Sequence, residues 1–254
     1  MSGRPVLATL HGFTGSPASW RRVCDRGGER LRGAVHLALY GHSRSLPPGT
    51  ITSFDDEADR VARELAHCSD EAVILAGYSL GARIALVTAL RHPRRVARLV
   101  LVSGRPGLRS TKERAERRAA DEGWIRLLKG AGLEAFVDQW EALPLWNTQQ
   151  TLPIELAAAQ RRERLGHDPA ALAAALATLG LAEMPDCWPR LAELTIPVDL
   201  VVGELDETFT AIAEEMLGIL PHASLQRVAG SGHNPLLEHP AEMAGILGEA
   251  VRVS

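Results

Sequence analysis

Gly77-Tyr78-Ser79-Leu80-Gly81 sets a hydroxyl between two glycines, directly after an apolar run at 73–76 and before a helical pattern at 81–90. A serine in such a tight strand-to-helix turn is lifted clear of the backbone, and the glycines relieve the crowding that the turn creates. There it can attack a carbonyl or, once deprotonated, remove a proton. Either task needs a base within hydrogen-bonding reach and a carboxylate that orients the base. Gly232-His233-Asn234 follows an apolar run at 225–228, and Gly203-Glu204-Leu205-Asp206 follows another at 198–202. Ser79, Asp206 and His233 are therefore the expected catalytic residues, in the order that a serine–acid–histidine set takes on a strand–turn–helix scaffold. Glu204 and Glu207 are neighbouring carboxylates that compete for the role of the acid, and the bland reading of Ser79 is a helix N-cap. Leu10-His11-Gly12-Phe13 follows the first apolar run, so the backbone N–H groups of Phe13 and Leu80 are the expected oxyanion donors. His11 and His42 are expected to shape loops rather than transfer protons.

Three side chains so distant in sequence meet only if the runs that carry them end at one edge. Six short runs rich in Val and Leu recur, at 6–10, 35–39, 73–76, 99–102, 198–202 and 225–228. Runs this continuous suit strands covered on both faces. Helical patterns at 54–65, 81–90, 209–220 and 241–251 separate most of them, which predicts an α/β fold with a mostly parallel, doubly wound sheet. Between residues 106 and 189 no strand-like run occurs. Candidate helices there are 111–129, 133–142, 153–165 and 169–179, an all-helical insertion that reads as a lid. The expected organisation is a core of 1–105 and 190–254 with a lid of 106–189.

A formal charge of −3 over 254 residues gives no bias toward nucleic acid or anionic membranes, so a small-molecule partner is expected. Cys24, Cys68 and Cys187 show no C-x-x-C spacing and no disulfide framework, and the chain runs from Met1 into its first apolar run without a long hydrophobic leader. A cytoplasmic location, with no membrane association, is the expectation. Neither metal-ligand spacing nor a phosphate-binding glycine loop is present, so no cofactor and no metal are expected. The oligomeric expectation is a monomer or a small homo-oligomer.

Over nearly its whole length the chain resembles the α/β-hydrolase-fold 2-succinyl-6-hydroxy-2,4-cyclohexadiene-1-carboxylate synthases of menaquinone biosynthesis. The resemblance lies in Leu10-His11-Gly12-Phe13-Thr14-Gly15-Ser16 with Trp20, Gly77 to Arg83, Pro106-Gly107-Leu108, Glu113 to Arg117, Trp140 followed by Pro144-Leu145-Trp146, Gly203 to Asp206 with Phe209, Gly232-His233-Asn234 and Glu238-His239-Pro240. It implies a lyase that eliminates pyruvate from an enolpyruvyl-cyclohexene carboxylate, with the triad-activated Ser79 removing a proton. It also implies that Tyr78, Arg83, Arg117, Trp140 and Arg164 bind a polycarboxylate substrate, arginine being suited to hold carboxylates bidentately. For Arg117 and Arg164 a solvated helix face is the competing reading. The family's Asp-x-Pro-Gly-His-Gly loop is replaced here by Ala38-Leu39-Tyr40-Gly41-His42-Ser43, and Leu236 stands where a histidine is usual. These departures bear on substrate identity and leave the triad intact. The alternative function is a serine esterase or thioesterase, or a related lyase or cyclase on another quinone or polyketide intermediate.

Overall fold

The computed structural model describes residues 5–42 and 49–252; Met1 to Arg4 and Ser43 lie outside the described residues. Six strands form one sheet: β1 (Leu7–Leu10), β2 (Val35–Leu37), β3 (Val73–Tyr78), β4 (Val96–Val102), β5 (Val198–Gly203) and β6 (Ala223–Val228). Their spatial order is β2-β1-β3-β4-β5-β6, and every neighbouring pair is parallel. The expected mostly parallel sheet is thus wholly parallel among the described strands.

Helices cover both faces: α1 (Pro17–Cys24), α2 (Phe54–Cys68), α3 (Leu80–Arg91), α8 (Glu207–Leu217), a short α9 (Pro235–Glu238) and α10 (Pro240–Arg252). The central strands β1, β3 and β5 are buried at every residue, as their unbroken apolar runs require. The edge strands differ. Most of β6 and the first two residues of β2 are only partly buried or exposed, because an edge strand lacks a neighbour on one side. One apolar layer joins α2, α3 and the sheet through Phe54, Val61, Leu75, Ile84 and Leu99, and the opposite layer joins α1 and α10 through Trp20, Ile74, Val100, Met243 and Leu247.

Between β4 and β5 the chain forms α4 (Thr111–Gly130), α5 (Gly132–Glu141), α6 (Ile154–Leu165) and α7 (Pro169–Leu179), with shorter 3₁₀ turns at Pro144–Thr151 and Trp188–Glu193. A capping box starts α4, the Ser110 hydroxyl accepting from the Glu113 N–H while the Glu113 carboxylate accepts from the Ser110 N–H. Asp168 caps α7 ahead of Pro169, which needs no N–H partner in a first turn. These helices bury their own small core of Leu128, Phe136, Val137, Leu172 and Ala173. No single helix among the described residues is long and apolar enough to cross a membrane.

Candidate active site

β3 ends at Tyr78, and Ser79 turns the chain into α3 with φ 51° and ψ −107°. A non-glycine residue in that region is strained, and here the surroundings over-determine it. The Ser79 N–H donates to the Val102 carbonyl at 2.9 Å, continuing the sheet, while its own carbonyl already accepts from the Arg83 N–H at 3.1 Å. A Cβ at Gly77 would fall onto the Gly81 carbonyl, and one at Gly81 onto the carbonyls of Leu10 and His11. Two absent side chains therefore allow the first turn of α3 to rest directly on the end of β1.

The Ser79 Oγ lies 3.1 Å from His233 Nε2, and His233 Nδ1 lies 2.7 Å from Asp206 Oδ2. The carboxylate fixes the tautomer: Nδ1–H donates to Asp206, and Nε2 keeps its lone pair for the serine proton. Asp206 is the N-cap of α8, its other oxygen accepting from the Phe209 N–H at 3.3 Å. Glu204 is occupied elsewhere, accepting from the Gly230 N–H, and Glu207 is exposed. His233 and Asp206 are 3% and 8% exposed, so water does not compete for their bond. A clamp absent from the sequence reading holds the histidine loop: the Glu238 carboxylate accepts from the backbone N–H groups of Gly232 (2.7 Å) and Asn234 (3.2 Å), one on each side of His233. The imidazole is enclosed by Phe209, Trp146 and Tyr78 at ring distances of 4.5, 5.7 and 5.7 Å.

Phe13 and Leu80 both line the cavity that contains Ser79. Leu80 is the first residue of α3, so its N–H belongs to the unpaired set at a helix start. Neither the Phe13 nor the Leu80 N–H is matched to an acceptor among the described residues. Three histidines fix the loop that carries Phe13. His11 Nδ1–H donates to the Gly12 carbonyl and its Nε2 accepts from Leu39 N–H; His42 Nε2 accepts from the Thr14 N–H; His167 Nε2–H donates to the Thr14 carbonyl. Burial holds all three imidazoles neutral, taking His11 down to about 4. His11 and His42 thus shape the loop.

The cavity measures about 240 Å³ and is bounded by Ser79, His233, Tyr78 and Phe209 on one side and by Trp140, Trp146, Leu176 and Leu179 of the helical segment on the other. Arg83 and Arg117 line it too. Burial, reinforced by the Arg117 and Arg105 charges and opposed by Asp121, lowers the Arg83 pKa to about 9. Among the described residues the Arg83 guanidinium donates only to the Leu179 carbonyl, at 3.3 Å, and Arg117 donates to Asp121 at 2.9 Å. The Tyr78 hydroxyl and the Trp140 Nε1–H are buried without a partner among the described residues. Burial also raises the Tyr78 pKa well above its usual value, so the phenol remains a donor.

The alpha/beta hydrolase family model matches residues 7–246. A Bacillus subtilis (strain 168) relative, provisionally named 2-succinyl-6-hydroxy-2,4-cyclohexadiene-1-carboxylate synthase, is 35% identical over 96% of this chain and 89% of its own length. The protein of that name from Enterobacter sp. (strain 638) is 32% identical over 99% of this chain and 93% of its own. The solved structure of MenH from S. aureus superposes with a TM-score of 0.93 at 30% identity, covering 100% of this chain and 95% of that one. The chain belongs to the α/β-hydrolase family, in its 2-succinyl-6-hydroxy-2,4-cyclohexadiene-1-carboxylate synthase group.

Within this synthase-group chain, one arginine of the expected binding set stands apart. Arg164 does not line the Ser79 cavity. It is 4% exposed, donates to Glu141 at 2.9 Å and lies 5.2 Å from the Trp146 ring, on a smaller neighbouring cleft that also touches Phe13 and Tyr78. Glu141, at the end of α5, takes both Arg161 and Arg164, which holds their charges on the far side of Trp146. Ser103, Arg105 and Trp146 line the Ser79 cavity without having been singled out as binding residues. The signal that would have found Ser103 and Arg105 is position: they follow the end of β4, the strand beside β3, so they must emerge at the edge that holds Ser79. Among the described residues no group of three or more His, Cys, Asp or Glu is arranged to hold a metal ion.

Proposed function

We propose that the chain is a carbon–oxygen lyase that eliminates pyruvate from an enolpyruvyl-cyclohexene carboxylate to leave 2-succinyl-6-hydroxy-2,4-cyclohexadiene-1-carboxylate. The observation that carries this reading is the charge of the cavity. Arg83, Arg105 and Arg117 line the cavity beside Ser79, with Asp121 as the one carboxylate among the described residues bonded to any of them. A neutral ester has no use for that excess, whereas a succinyl-bearing, carboxylated ring with an enolpyruvyl arm matches it. Near full-length similarity to proteins named for this activity supports the same conclusion.

Ser79, His233 and Asp206 act as one base. The Ser79 proton passes to His233 Nε2, Asp206 stabilises the imidazolium, and the Ser79 oxygen takes the proton from the ring carbon beside the succinyl carbonyl. Charge then builds on that carbonyl oxygen, where the Phe13 and Leu80 N–H groups receive it. As the enolate collapses, the ring double bond shifts and the C–O bond to the enolpyruvyl group breaks. The expelled enolate takes a proton and becomes pyruvate. Tyr78, Arg83, Arg117 and Trp140 hold the substrate. The helical segment 106–189 serves as a lid that keeps water from the enolate. Arg164 belongs to this reading only as support for Trp146. The polyanionic substrate is a freely dissolved metabolite, so the reading includes a cytoplasmic enzyme, a monomer or small homo-oligomer.

Purified protein mixed with the enolpyruvyl precursor should release pyruvate, read by coupled reduction to lactate, and Ser79→Ala should remove that release. A rate no higher than the spontaneous one rejects the proposal. The serine–histidine pair also suits ester or thioester hydrolysis, so mass spectrometry after mixing with acyl esters separates the two chemistries. Accumulation of an acyl group on Ser79 would favour the hydrolase.

A further inference from the structure

We propose that Ser103 and Arg105, at the end of β4, form an additional carboxylate-binding subsite in the Ser79 cavity and make a third anionic arm of the substrate a condition of tight binding. This inference rests on the lyase reading and deepens it. The product name contains two free carboxylates, one on the succinyl arm and one on the ring, and the departing pyruvate carries a third. Arg83 and Arg117 are two cations for three anions.

β4 ends at Val102, which pairs with Tyr78 across the sheet, so residues 103–105 emerge one strand from the reacting serine. Ser103 has φ 48°, is fully buried, and donates its N–H to the Val201 carbonyl at 2.8 Å. Its hydroxyl has no protein partner. A strained backbone that aims an unpaired buried hydroxyl into a cavity is a costly arrangement, and a ligand oxygen accounts for it. The Arg105 Nε is likewise buried and unpaired, and Arg105 makes no ion pair among the described residues. Glu113, whose charge acts on Arg105, accepts from the N–H and hydroxyl of Ser110 in the α4 capping box.

Arg114 provides the contrast. One turn into α4, it donates to the carbonyls of Leu108, Ala182 and Met184, which sews the helical segment together. Arg105 has no such engagement among the described residues and lines the same cavity as Arg83 and Arg117. Three guanidiniums, with Asp121 bonded to Arg117 and Glu113 opposite Arg105 already engaged in the α4 cap, repel one another unless anions enter. The planar fork of Arg105 with the Ser103 hydroxyl beside it fits one carboxylate.

The test compares the parent with Arg105→Met, Arg105→Lys and Ser103→Ala. Pyruvate release gives kcat and KM, and tryptophan fluorescence, through Trp140 and Trp146, follows binding of succinate as a simple dicarboxylate probe. Arg105→Met should raise KM by about 10- to 100-fold with kcat changed far less, the mark of lost uniform binding. Lysine should recover part of the loss, and Ser103→Ala should raise KM roughly three- to tenfold. Succinate binding should weaken in the same order. An active parent whose KM stays within twofold in Arg105→Met overturns the subsite. If that variant does not fold by circular dichroism, unchanged KM in both Arg105→Lys and Ser103→Ala overturns it instead. A parent that releases no pyruvate defeats the lyase reading alone; the subsite then stands or falls on whether succinate binds the parent and weakens without Arg105.

Discussion

The two sides of the cavity treat their polar atoms in opposite ways. On the reacting side, the Tyr78 hydroxyl apart, the protein itself completes the bonds: Ser79 to His233, His233 to Asp206, Asp206 to the start of α8, and Glu238 to the backbone flanking the histidine. The loop carrying Phe13 is fixed at Gly12 and Thr14 by three neutral histidines. On the recognition side, the Ser103 hydroxyl, Arg105 Nε and the indole N–H groups of Trp140 and Trp146 are buried without partners among the described residues. Each such orphan costs on the order of 1–3 kcal/mol. The lesson is a division of labour. Under the proposed function, groups that must be in register when charge develops are preorganised by the fold, whereas the donors proposed to select the substrate are to be completed by its oxygens. Stability and function should therefore separate cleanly between the two sides.

The largest effect should come from breaking the reacting side. Ser79→Ala should reduce kcat at least about 10⁴-fold, because members of one proton relay are lost together. Asp206→Asn should follow at roughly 10³- to 10⁴-fold, since an amide donating to Nδ1 moves the imidazole proton to Nε2, where no serine proton can be accepted. Both are read by steady-state pyruvate release. Substrate affinity, measured on the inactive variants by fluorescence, should stay within a few-fold of the parent KM. A parallel collapse of binding would erase the distinction between the two sides.

A second effect concerns acid. His11 is fully buried, and its pKa falls from 6.5 in the unfolded chain to about 4 in the folded one; His42 and His167 shift in the same direction. A depressed folded value means that the unfolded chain binds the proton first, so stability is complete above pH 6.5 and lost as pH falls toward 4. His11 alone should account for about 3 kcal/mol of that loss. Urea unfolding at pH 7.5, 6.5, 5.5 and 4.5 measures it. Because Gln offers an amide in place of a titrating ring, His11→Gln should flatten the slope between pH 6.5 and 4 even if it lowers stability at pH 7.5. An unchanged slope would mean that this histidine does not govern the acid response of the oxyanion loop.

How legible each side was in the sequence follows the same division. The unbroken Val and Leu runs at 73–76 and 198–202 specified strands covered on both faces, ending at Ser79 and Asp206, and glycines marked the turns at Ser79 and, after the run at 225–228, at His233. The groups brought together on the reacting side are thus tied to local signals. The helix Pro17–Cys24 was too short for its periodicity to register, although its Trp20 indole anchors it to the Leu10 carbonyl. The recognition side carries no comparable signal. Periodicity shows that Arg161 and Arg164 share a helix face but not that Glu141 waits opposite and draws both behind Trp146. Arg105 belongs to no motif at all. Its significance comes from the strand that β4 happens to neighbour, a property of the assembled sheet.

The smallest and most discriminating effect should come from Arg83. Its charged form is disfavoured by burial and by Arg117 and Arg105, and its guanidinium makes one long hydrogen bond, to Leu179. Arg83→Met keeps a stem of similar shape inside the apolar layer beside Phe54 and removes a cation that the folded protein holds at a cost. KM should rise about 10- to 100-fold, while the melting temperature without ligand should hold steady or increase. A destabilised variant with unchanged KM would make Arg83 a structural arginine and move it to the reacting side of the comparison. A more stable protein that binds its substrate poorly is what a wall completed by its ligand requires.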